Sequence, residues 1–423
     1  MEKAFLAGWA CTRREGMPIG FADAEDSLQE LRELASSAGA RVVGTILQRS
    51  PEPDSATLLG RGKVHELRVQ AHAEAADLVI FDHDLTPTQL RNLEHALDLK
   101  VIDRTQIILD IFARRARSRE GQLQVELAQL NYLLPRLSGR GTLLSRLGGG
   151  IGTRGPGEQQ LEYDRRRLRQ RIRNLAQAIE RVRSQRALHR AHRRDQNFQT
   201  VALVGYTNAG KSTLFNALTM AKVETSARMF ATLDPTVRAM PLASHRTALL
   251  SDTVGFIRKL PPHLVAAFRA TLEELEGASL LLHISDASDA QLDSQDAAVE
   301  TLLEDLGVAS TPRLHVWNKI DLLEPGERRK LQSVTGSVSV SARTGEGLED
   351  LRNKVQATLS SDPIVEADFE LSSSDGKHLA LLHSAGTVVS TRYEDGRVMV
   401  RAKVPRSVWT LLKPFTAGLP ITR

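Results

Sequence analysis

The sequence has a single cysteine, Cys11, in 423 residues. One thiol excludes an internal disulfide framework and a zinc site built from cysteines, and it is typical of a reducing, cytoplasmic environment. Long apolar runs are lacking too, because no stretch approaches the ~20 residues that a membrane-spanning helix needs. The apolar segment 2–11 is short and carries an early acid, so we interpret it as a first strand and not as a signal peptide. We expect no stable membrane insertion.

Acidic residues are scarce in one segment of the chain. Lys and Arg number 56 against 51 Asp and Glu, for a net charge of +5. Residues 136–194 nevertheless contain only four acids, which are Glu158, Glu162, Asp164 and Glu180. The arginine-rich remainder is typical of a surface that binds nucleic-acid phosphate, and a solvated helix face is the alternative interpretation.

The pattern of apolar residues predicts a multidomain α/β protein. Residues 1–103 alternate short apolar runs with helical patterns, which is typical of a small parallel α/β domain. Residues 104–137 and 158–194 carry apolar stripes at helical spacing, and they predict a long antiparallel helical hairpin over 104–196. Its loop, 138–157, is rich in glycine and arginine. Residues 197–361 predict a second α/β domain, and 363–423 a small α+β domain with a β-hairpin around a turn at 394–396.

The most informative motif is G-Y-T-N-A-G-K-S at residues 205–212. It follows a β-branched apolar run and precedes an amphipathic pattern, which is the strand, loop and helix context of a phosphate-binding P-loop. Backbone N–H groups would surround the phosphates, Lys211 would reach the β- and γ-phosphates, and the Ser212 hydroxyl would bind Mg²⁺. The predicted contacts here are Gly205, Tyr206, Thr207, Asn208, Ala209, Gly210, Lys211, Ser212 and Thr213.

Further motifs follow in order, each at the end of a predicted strand. D-T-V-G at 252–255 would place Asp252 near Mg²⁺ and the Gly255 N–H at the γ-phosphate. N-K-I-D at 318–321 ends in Asp321, whose carboxylate can accept from guanine N1–H and N2–H₂, a donor pair that adenine lacks. Open α/β sheets bind ligands at these strand ends. The motifs therefore predict a guanine-nucleotide-binding domain, with Thr253, Val254, Asn318, Lys319, Ser341, Ala342 and Arg343 as further contacts.

Over nearly its whole length the sequence resembles the HflX family of translation-associated GTPases. The most specific segments are L-G-R-G-K at 59–63, D-R-T-Q-I-I-L-D-I-F at 103–112, G-G-I-G-T-R-G-P-G-E at 149–158 and D-T-V-G-F-I-R-K-L at 252–260. The resemblance implies an enzyme that hydrolyses GTP to GDP and phosphate. It also implies binding to the large ribosomal subunit and its RNA, splitting of stalled or idle ribosomes under stress, and a cytoplasmic protein that is monomeric off the ribosome.

A first switch is expected at residues 229–236. By its position in the family's A-T-L-D-P-T stretch, Thr232 would bind Mg²⁺ and report the γ-phosphate, with Thr236 as the alternative. Phe230 and Ala231 would lie beside the nucleotide. The predicted catalytic residues are Asn208, Lys211, Thr232 and Gly255, and the predicted Mg²⁺ ligands are Ser212, Thr232 and Asp252.

The place of the water-orienting glutamine in Ras-type enzymes is taken here by Phe256, which cannot hydrogen-bond. Slow hydrolysis and a different route to charge stabilisation both remain open. Asn208 favours the second, because in similar GTPases an asparagine at this place helps to bind K⁺, although asparagine also stabilises loops by itself. Two other functions stay open as well: ATP-driven RNA remodelling through the N-terminal half, and a regulatory GTPase switch with a protein partner.

Overall fold

The structure is a computed structural model in two compact units, Met1–Leu348 and Glu349–Arg423. It describes residues 1–12, 21–137, 156–195, 199–219, 229–230, 236–242, 247–258, 275, 277–309, 311–332, 336–360, 364–372, 375–385, 387–394, 397–405, 408–409 and 412–416. Most of the predicted loop 138–157 lies outside these residues. The four-part division expected from the sequence is finer than the two units, and its boundaries stay predictions.

The first unit begins with a four-stranded parallel sheet in the order β2-β1-β3-β4. Thr86 caps the third helix through a capping box with Gln89, and Pro87 occupies its first turn. Strands and helices alternate along the chain, so the crossover helices cover both faces of the sheet. The elements are β1 (Lys3–Cys11), α1 (Phe21–Ser37), β2 (Arg41–Ser50), α2 (Arg61–Ala73), β3 (Leu78–Phe81), α3 (Pro87–Leu97) and β4 (Lys100–Asp103).

The helical segment that follows differs from the continuous helix expected over 104–137. It is two helices, α4 (Arg104–Arg115) and α5 (Arg119–Arg136), before the 40-residue α6 (Pro156–Asp195). The break occurs because Ala116 is extended and the Ser118 hydroxyl accepts from Gly121 N at 2.9 Å, which starts a new helix. Helices α5 and α6 form the hairpin. They are antiparallel, since Glu126 pairs with Arg171 whereas Leu137 lines a groove with Tyr163.

A six-stranded sheet completes the first unit, in the order β10-β9-β8-β5-β7-β6, and only β6 and β7 pair antiparallel. One hydrophobic cluster extends from the N-terminal sheet to this sheet and includes Leu6, Phe112, Ala202 and Phe230. The elements are β5 (Thr200–Gly205), α7 (Lys211–Thr219), β6 (Thr236–Pro241), β7 (Thr247–Asp252), β8 (Leu280–Asp286), α8 (Leu292–Asp305), β9 (Arg313–Asn318), α9 (Pro325–Gln332) and β10 (Ser337–Ser339).

The second unit has its own antiparallel sheet in the order β11-β13-β12. Phe369, Leu382 and Val400 belong to a separate hydrophobic cluster there. The hairpin expected around residues 394–396 corresponds to β12 and β13. The elements are α10 (Leu348–Ser360), which starts at the unit boundary, then β11 (Ile364–Ser372), α11 (Gly376–Ala385), β12 (Thr387–Glu394) and β13 (Arg397–Pro405). The predicted multidomain α/β class is confirmed. No helix in the described part of the chain is long and apolar enough to cross a membrane.

Candidate nucleotide-binding site

The loop between β5 and α7 has a backbone that only certain residues tolerate. Gly205, Asn208 and Gly210 all have positive φ, at 149°, 64° and 92°. A Cβ on Gly205 would overlap the Ile284 carbonyl oxygen, and one on Gly210 would overlap the Asn318 amide. Glycine is therefore required at both places by sterics as well as by backbone conformation. The loop leads into the N-terminus of α7, where free N–H groups and the helix dipole favour an anion.

Lys211 lies at the start of α7 with its side chain buried, 6% exposed. Its ammonium group donates to the carbonyl oxygens of Gly205 (3.0 Å) and Tyr206 (2.5 Å). Burial lowers the pKa of Lys211 to about 8, although the Asp252 carboxylate opposes this shift. An anionic phosphate at this loop would supply the charge that favours the ammonium form.

Ser212 and Asp252 bring two oxygen ligands together beside the loop. The Ser212 hydroxyl donates to Asp252 Oδ2 at 2.9 Å, and Asp252 is fully buried at the end of β7. Hydroxyl and carboxylate oxygens are the hard ligands that Mg²⁺ prefers. The chemistry of this pair fits a magnesium ion.

The residue after D-T-V-G, Phe256, is hydrogen-bonded to the loop through its backbone. Phe256 N donates to Gly205 O at 3.1 Å, and Thr207 N donates to Phe256 O at 2.8 Å. A Cβ on Gly255 would lie 2.8 Å from Thr207 Cγ2 and 3.0 Å from Lys211 Nζ. Only glycine fits there, so the Gly255 backbone remains close to the lysine.

Phe256 itself is 6% exposed and belongs to the hydrophobic cluster shared with the N-terminal sheet. The sequence indicates only that this side chain cannot hydrogen-bond. The structure adds that it is a core residue. Its backbone N–H and carbonyl are hydrogen-bonded to Gly205 and Thr207 of the loop after β5. A substitution to glutamine would place an amide in an apolar environment, at a cost in stability.

The N-K-I-D segment connects three loops. The Asn318 side chain is 1% exposed, donates to Ala209 O at 2.8 Å and accepts from Ala342 N at 3.0 Å. Asp321 Oδ1 accepts from the Ser341 hydroxyl at 2.7 Å. Asn318 therefore joins the P-loop to the loop at 341–343, and the exposed Arg343 lies at its edge.

The remaining predicted contacts are Asn208 and the residues of the first switch. Asn208 is exposed, and its left-handed backbone is one that asparagine adopts readily, as both the loop-stabilising and the K⁺ interpretation require. Phe230 is 3% exposed and meets Phe112 edge-on at 4.7 Å. Thr236 starts β6 opposite Asp252, whereas Ala231 and Thr232 lie outside the described residues. Thr213, Thr253 and Val254 lie in the segments described above, and the Thr253 hydroxyl donates to Leu203 O at 2.5 Å.

A polar network from the N-terminal domain reaches this site, and sequence reasoning missed it. The Tyr206 hydroxyl donates to Glu30 at 2.5 Å and accepts from Arg258 N at 2.8 Å. Arg104 donates to Glu30 at 2.6 Å and to Arg258 O at 3.1 Å. The segment 103–112, one of those most specific to the family, contains Arg104. It is the signal in the sequence that could have pointed to this contact.

Asp286, the last residue of β8, was also missed. Its carboxylate pairs with Lys319 at 2.5 Å, and Lys319 has a left-handed φ of 64°. An acid at the end of a central strand next to N-K-I-D is the signal that could have found it. The ion pair holds the Lys319 side chain against the end of β8.

The mostly parallel six-stranded sheet, the P-loop and the D-x-x-G and N-K-x-D segments together define a P-loop GTPase domain. Comparison with protein families gives three matches: "GTP-binding GTPase N-terminal" at residues 25–113, "GTP-binding GTPase Middle Region" at 115–193 and "50S ribosome-binding GTPase" at 200–319. The chain belongs to the HflX family of GTPases, and it is a GTP-hydrolysing enzyme.

The relatives named GTPase HflX match over most of their length. The protein of Caldanaerobacter subterraneus is 46% identical over 92% of this chain and 90% of its own. That of Alkalihalophilus pseudofirmus is 50% identical over 79% of each chain, and that of Escherichia coli 44% identical over 92% of each. A solved GTP-binding protein from Sulfolobus solfataricus, in complex with GDP, covers 85% of this chain and 99% of its own at 23% identity. Its TM-score is 0.43, so it adds nothing to the assignment.

Proposed function

We propose that GTP binds across the ends of β5, β7, β9 and β10, with the residues predicted from the sequence as its contacts. The observation that carries this proposal is Asn318, whose amide joins the P-loop at Ala209 to the loop at Ala342. Lys211 and the start of α7 would hold the phosphates, and Asp321 and the Ala342 backbone would hold the guanine. Four segments that are distant in sequence thereby form one site.

Asp321→Asn tests the base site. The asparagine amide can donate to the carbonyl that xanthine has in place of guanine's amino group, so affinity should move from GTP to xanthosine triphosphate. Loss of the two bonds from guanine should cost roughly 1.5–3 kcal/mol each, which titration calorimetry would detect. Glu324→Gln, an exposed change three residues further on, serves as the control with unchanged affinity. Unaltered GTP binding in Asp321→Asn would place the base elsewhere.

Ser212 and Asp252 would hold Mg²⁺, and Thr232 would be its third protein ligand. Bound there, the ion neutralises charge on the phosphates. Lys211 and the backbone N–H groups of the loop bind the same phosphates. The Gly255 N–H would lie against the γ-phosphate, because only a glycine leaves room beside Lys211 Nζ.

K⁺ bound at Asn208 would supply transition-state charge at a site that has no glutamine. The burial of Phe256 supports this part of the proposal, because no polar side chain occupies the place of the Ras-type glutamine. Exchange of K⁺ for Na⁺ should then slow GTP hydrolysis and leave binding nearly unchanged. Asn208→Gly removes the side chain but keeps the left-handed backbone unstrained, so it should abolish the difference between the two salts. Equal turnover of the parent protein in both salts would remove K⁺ from the mechanism.

The ribosomal large subunit is the proposed partner, and splitting of stalled or idle ribosomes the proposed activity. The description "50S ribosome-binding GTPase" of the matched family model supports this partner. Helix α6 adds a chemical reason, because most of its described arginines are exposed to solvent, as is Tyr163. Arginine binds phosphate, and a tyrosine ring can stack on an unpaired base. The exposed arginines are Arg166, Arg167, Arg169, Arg171, Arg173, Arg181 and Arg183.

Co-sedimentation with large subunits and a nonhydrolysable GTP analogue tests this partner. Arg166→Ala with Arg167→Ala should weaken binding and flatten the salt dependence by about one unit for each lost phosphate contact. The matched control, Arg329→Ala with Lys330→Ala, removes the same charge from the exposed surface of α9. Equal binding of both double variants would mean that α6 does not contact RNA. ATP turnover that survives Lys211→Ala would instead favour the RNA-remodelling alternative.

A further inference from the structure

Two histidines and an aspartate meet on one face of the six-stranded sheet, outside the residues assigned to GTP. His283 lies on β8 and His315 is its direct partner in the parallel register on β9. Asp296 projects from α8, the helix that crosses between these two strands. Among the described residues, they are the one group of three or more His, Cys, Asp or Glu whose ligand atoms lie within 4.8 Å of one another.

The distances in this cluster fit a small divalent ion. His283 Nε2 is 3.3 Å from Asp296 Oδ1, and His315 Nε2 is 3.5 Å from Asp296 Oδ2. Zinc binds imidazole nitrogen and carboxylate oxygen at about 2.0–2.2 Å, so tetrahedral ligands lie roughly 3.3–3.5 Å apart. Each histidine nitrogen is therefore at tetrahedral ligand spacing from one oxygen of Asp296, and the two contacts end on different oxygens of that carboxylate.

Burial leaves one imidazole nitrogen of the cluster available to a ligand. His283 is 3% exposed, and its Nε2 is a buried nitrogen without a hydrogen-bond partner. A buried polar atom without a partner is rare in folded proteins and calls for an explanation, which a bound metal ion would supply.

Ser285 lies next to two members of the cluster, Asp296 and His315. Its hydroxyl donates to Asp296 Oδ1 at 2.6 Å and lies 2.9 Å from His315 Nε2. We propose that His283, His315 and Asp296 form a site for a divalent transition-metal ion, with Zn²⁺ the ion that fits best. Ser285 or a water molecule completes the coordination. Imidazole and carboxylate ligands suit zinc better than Mg²⁺ or Ca²⁺, which take oxygen ligands.

The stacking of the two rings defines the one movement that binding requires. Their centroids are 4.7 Å apart and their planes are inclined by 19°. Near-parallel rings cannot direct both lone pairs at one point, so one of them must turn. His315 is the more exposed of the two, with 29% of its side chain exposed against 4% for His283, and turning it would break its stacking on Trp317. A bound ion would then cross-link β8, β9 and α8.

The alternative is a polar network without a metal ion. Glu300 supports that alternative, since its carboxylate lies 3.7 Å from His283 Nδ1 and takes part in the cluster from a second side. In the metal site, a modest approach of this carboxylate would let it accept from His283 Nδ1 and orient the ring, as a carboxylate partner of a ligating histidine does. Metal titration separates the two states.

Cobalt reports on this site through its visible absorption. The full-length protein without an affinity tag, saturated with GDP and Mg²⁺, is titrated with Co²⁺ and then with Zn²⁺. We expect a visible absorption band of low-coordinate Co²⁺ that Zn²⁺ removes, and a rise in the unfolding temperature with Zn²⁺. His315→Gln and Asp296→Asn should each weaken binding by on the order of 100-fold or more, because loss of even an outer-shell partner costs about 10–100-fold. Asp293→Asn, an exposed change on α8, should bind as the parent does.

Three results overturn the proposal: no Co²⁺ band in the parent, a band that persists in both ligand variants, or an equal loss in Asp293→Asn. If one ligand variant fails to fold, as judged by circular dichroism and GDP binding, the other decides. GTP hydrolysis is not needed as a readout, so this test is independent of the proposed nucleotide contacts.

Discussion

Arg104 and Arg171 make the same chemical contact in opposite surroundings. Arg104 donates to Asp82 at 2.8 Å and to Glu30 at 2.6 Å, with 2% of its side chain exposed. Arg171 donates to both oxygens of Glu126, at 2.7 and 3.0 Å, with 56% of its side chain exposed. The geometry is good in both pairs, so the difference between them is burial.

Burial makes the Arg104 contact costly to break. Exposure makes the loss of the Arg171 contact nearly neutral. Desolvation opposes the charge of Arg104, but Glu30 and Asp82 more than compensate and raise the pKa of the guanidinium. Removal of Arg104 would leave the Glu30 and Asp82 carboxylates in a largely buried site without their cation. Solvent and salt screen Arg171 and Glu126, and water replaces either partner. Good hydrogen-bond geometry therefore says little about stability until the surroundings are known.

The two regions also differ in what they connect. The Arg104 cluster extends through Glu30 to the Tyr206 hydroxyl and through Arg258 O to the segment after D-T-V-G. It joins the N-terminal sheet to the P-loop. The Arg171 pair joins only α5 to α6.

The largest effect is expected for Arg104→Met, which leaves two buried carboxylates without their cation. The first unit should lose about 3–5 kcal/mol of unfolding free energy, measured by denaturant unfolding of the full chain. Arg104→Lys keeps the charge but not the planar fork that reaches two carboxylates, so its loss should be smaller. A methionine variant as stable as the parent would show that the cluster is solvated.

An intermediate effect is expected for Tyr206→Phe, at the edge of the same cluster. It removes the hydroxyl that donates to Glu30 and accepts from Arg258 N, without changing the apolar ring. Hydrogen bonds to charged groups contribute about 1.5–3 kcal/mol, and we expect a loss in that range from the same unfolding experiment. GDP affinity should stay within about threefold, because Glu30 and the Arg258 backbone are what this hydroxyl contacts. A change in GDP affinity without a change in stability would contradict this assignment.

The smallest effect is expected for Arg171→Ala. Its pair is exposed, so the unfolding midpoint should match that of the parent within experimental error. Any small loss should vanish in ~1 M salt, where the Debye length is only about 3 Å, whereas the deficit of Arg104→Met should persist. A large, salt-resistant loss in Arg171→Ala would mean that the pair is buried by a partner that this chain meets in solution.

Local elements of the fold were largely predictable from the sequence. The capping box at Thr86, the glycine turn at 205–210 and the strand β3 follow from contacts within a few residues. The break at Ala116 was not predicted, because apolar spacing alone continues through it and only the Ser118 cap marks the new helix. Sheet order and the partner of each strand could not be predicted either, because they depend on contacts between residues that are distant in sequence.

The candidate site also has features that depend on local sequence and features that depend on long-range contacts. The G-x-x-x-x-G-K-S, D-x-x-G and N-K-x-D motifs could be located from the sequence, because glycine at positive φ and a lysine at a helix start are local requirements. That Phe256 is a core residue and that Tyr206 bonds Glu30, 176 residues away in sequence, became visible in the folded chain alone. The same holds for His283 and His315, which are paired on the neighbouring strands β8 and β9. Such contacts depend on strand register and on which faces are buried, and those are set by packing of the whole unit, not by neighbours along the chain.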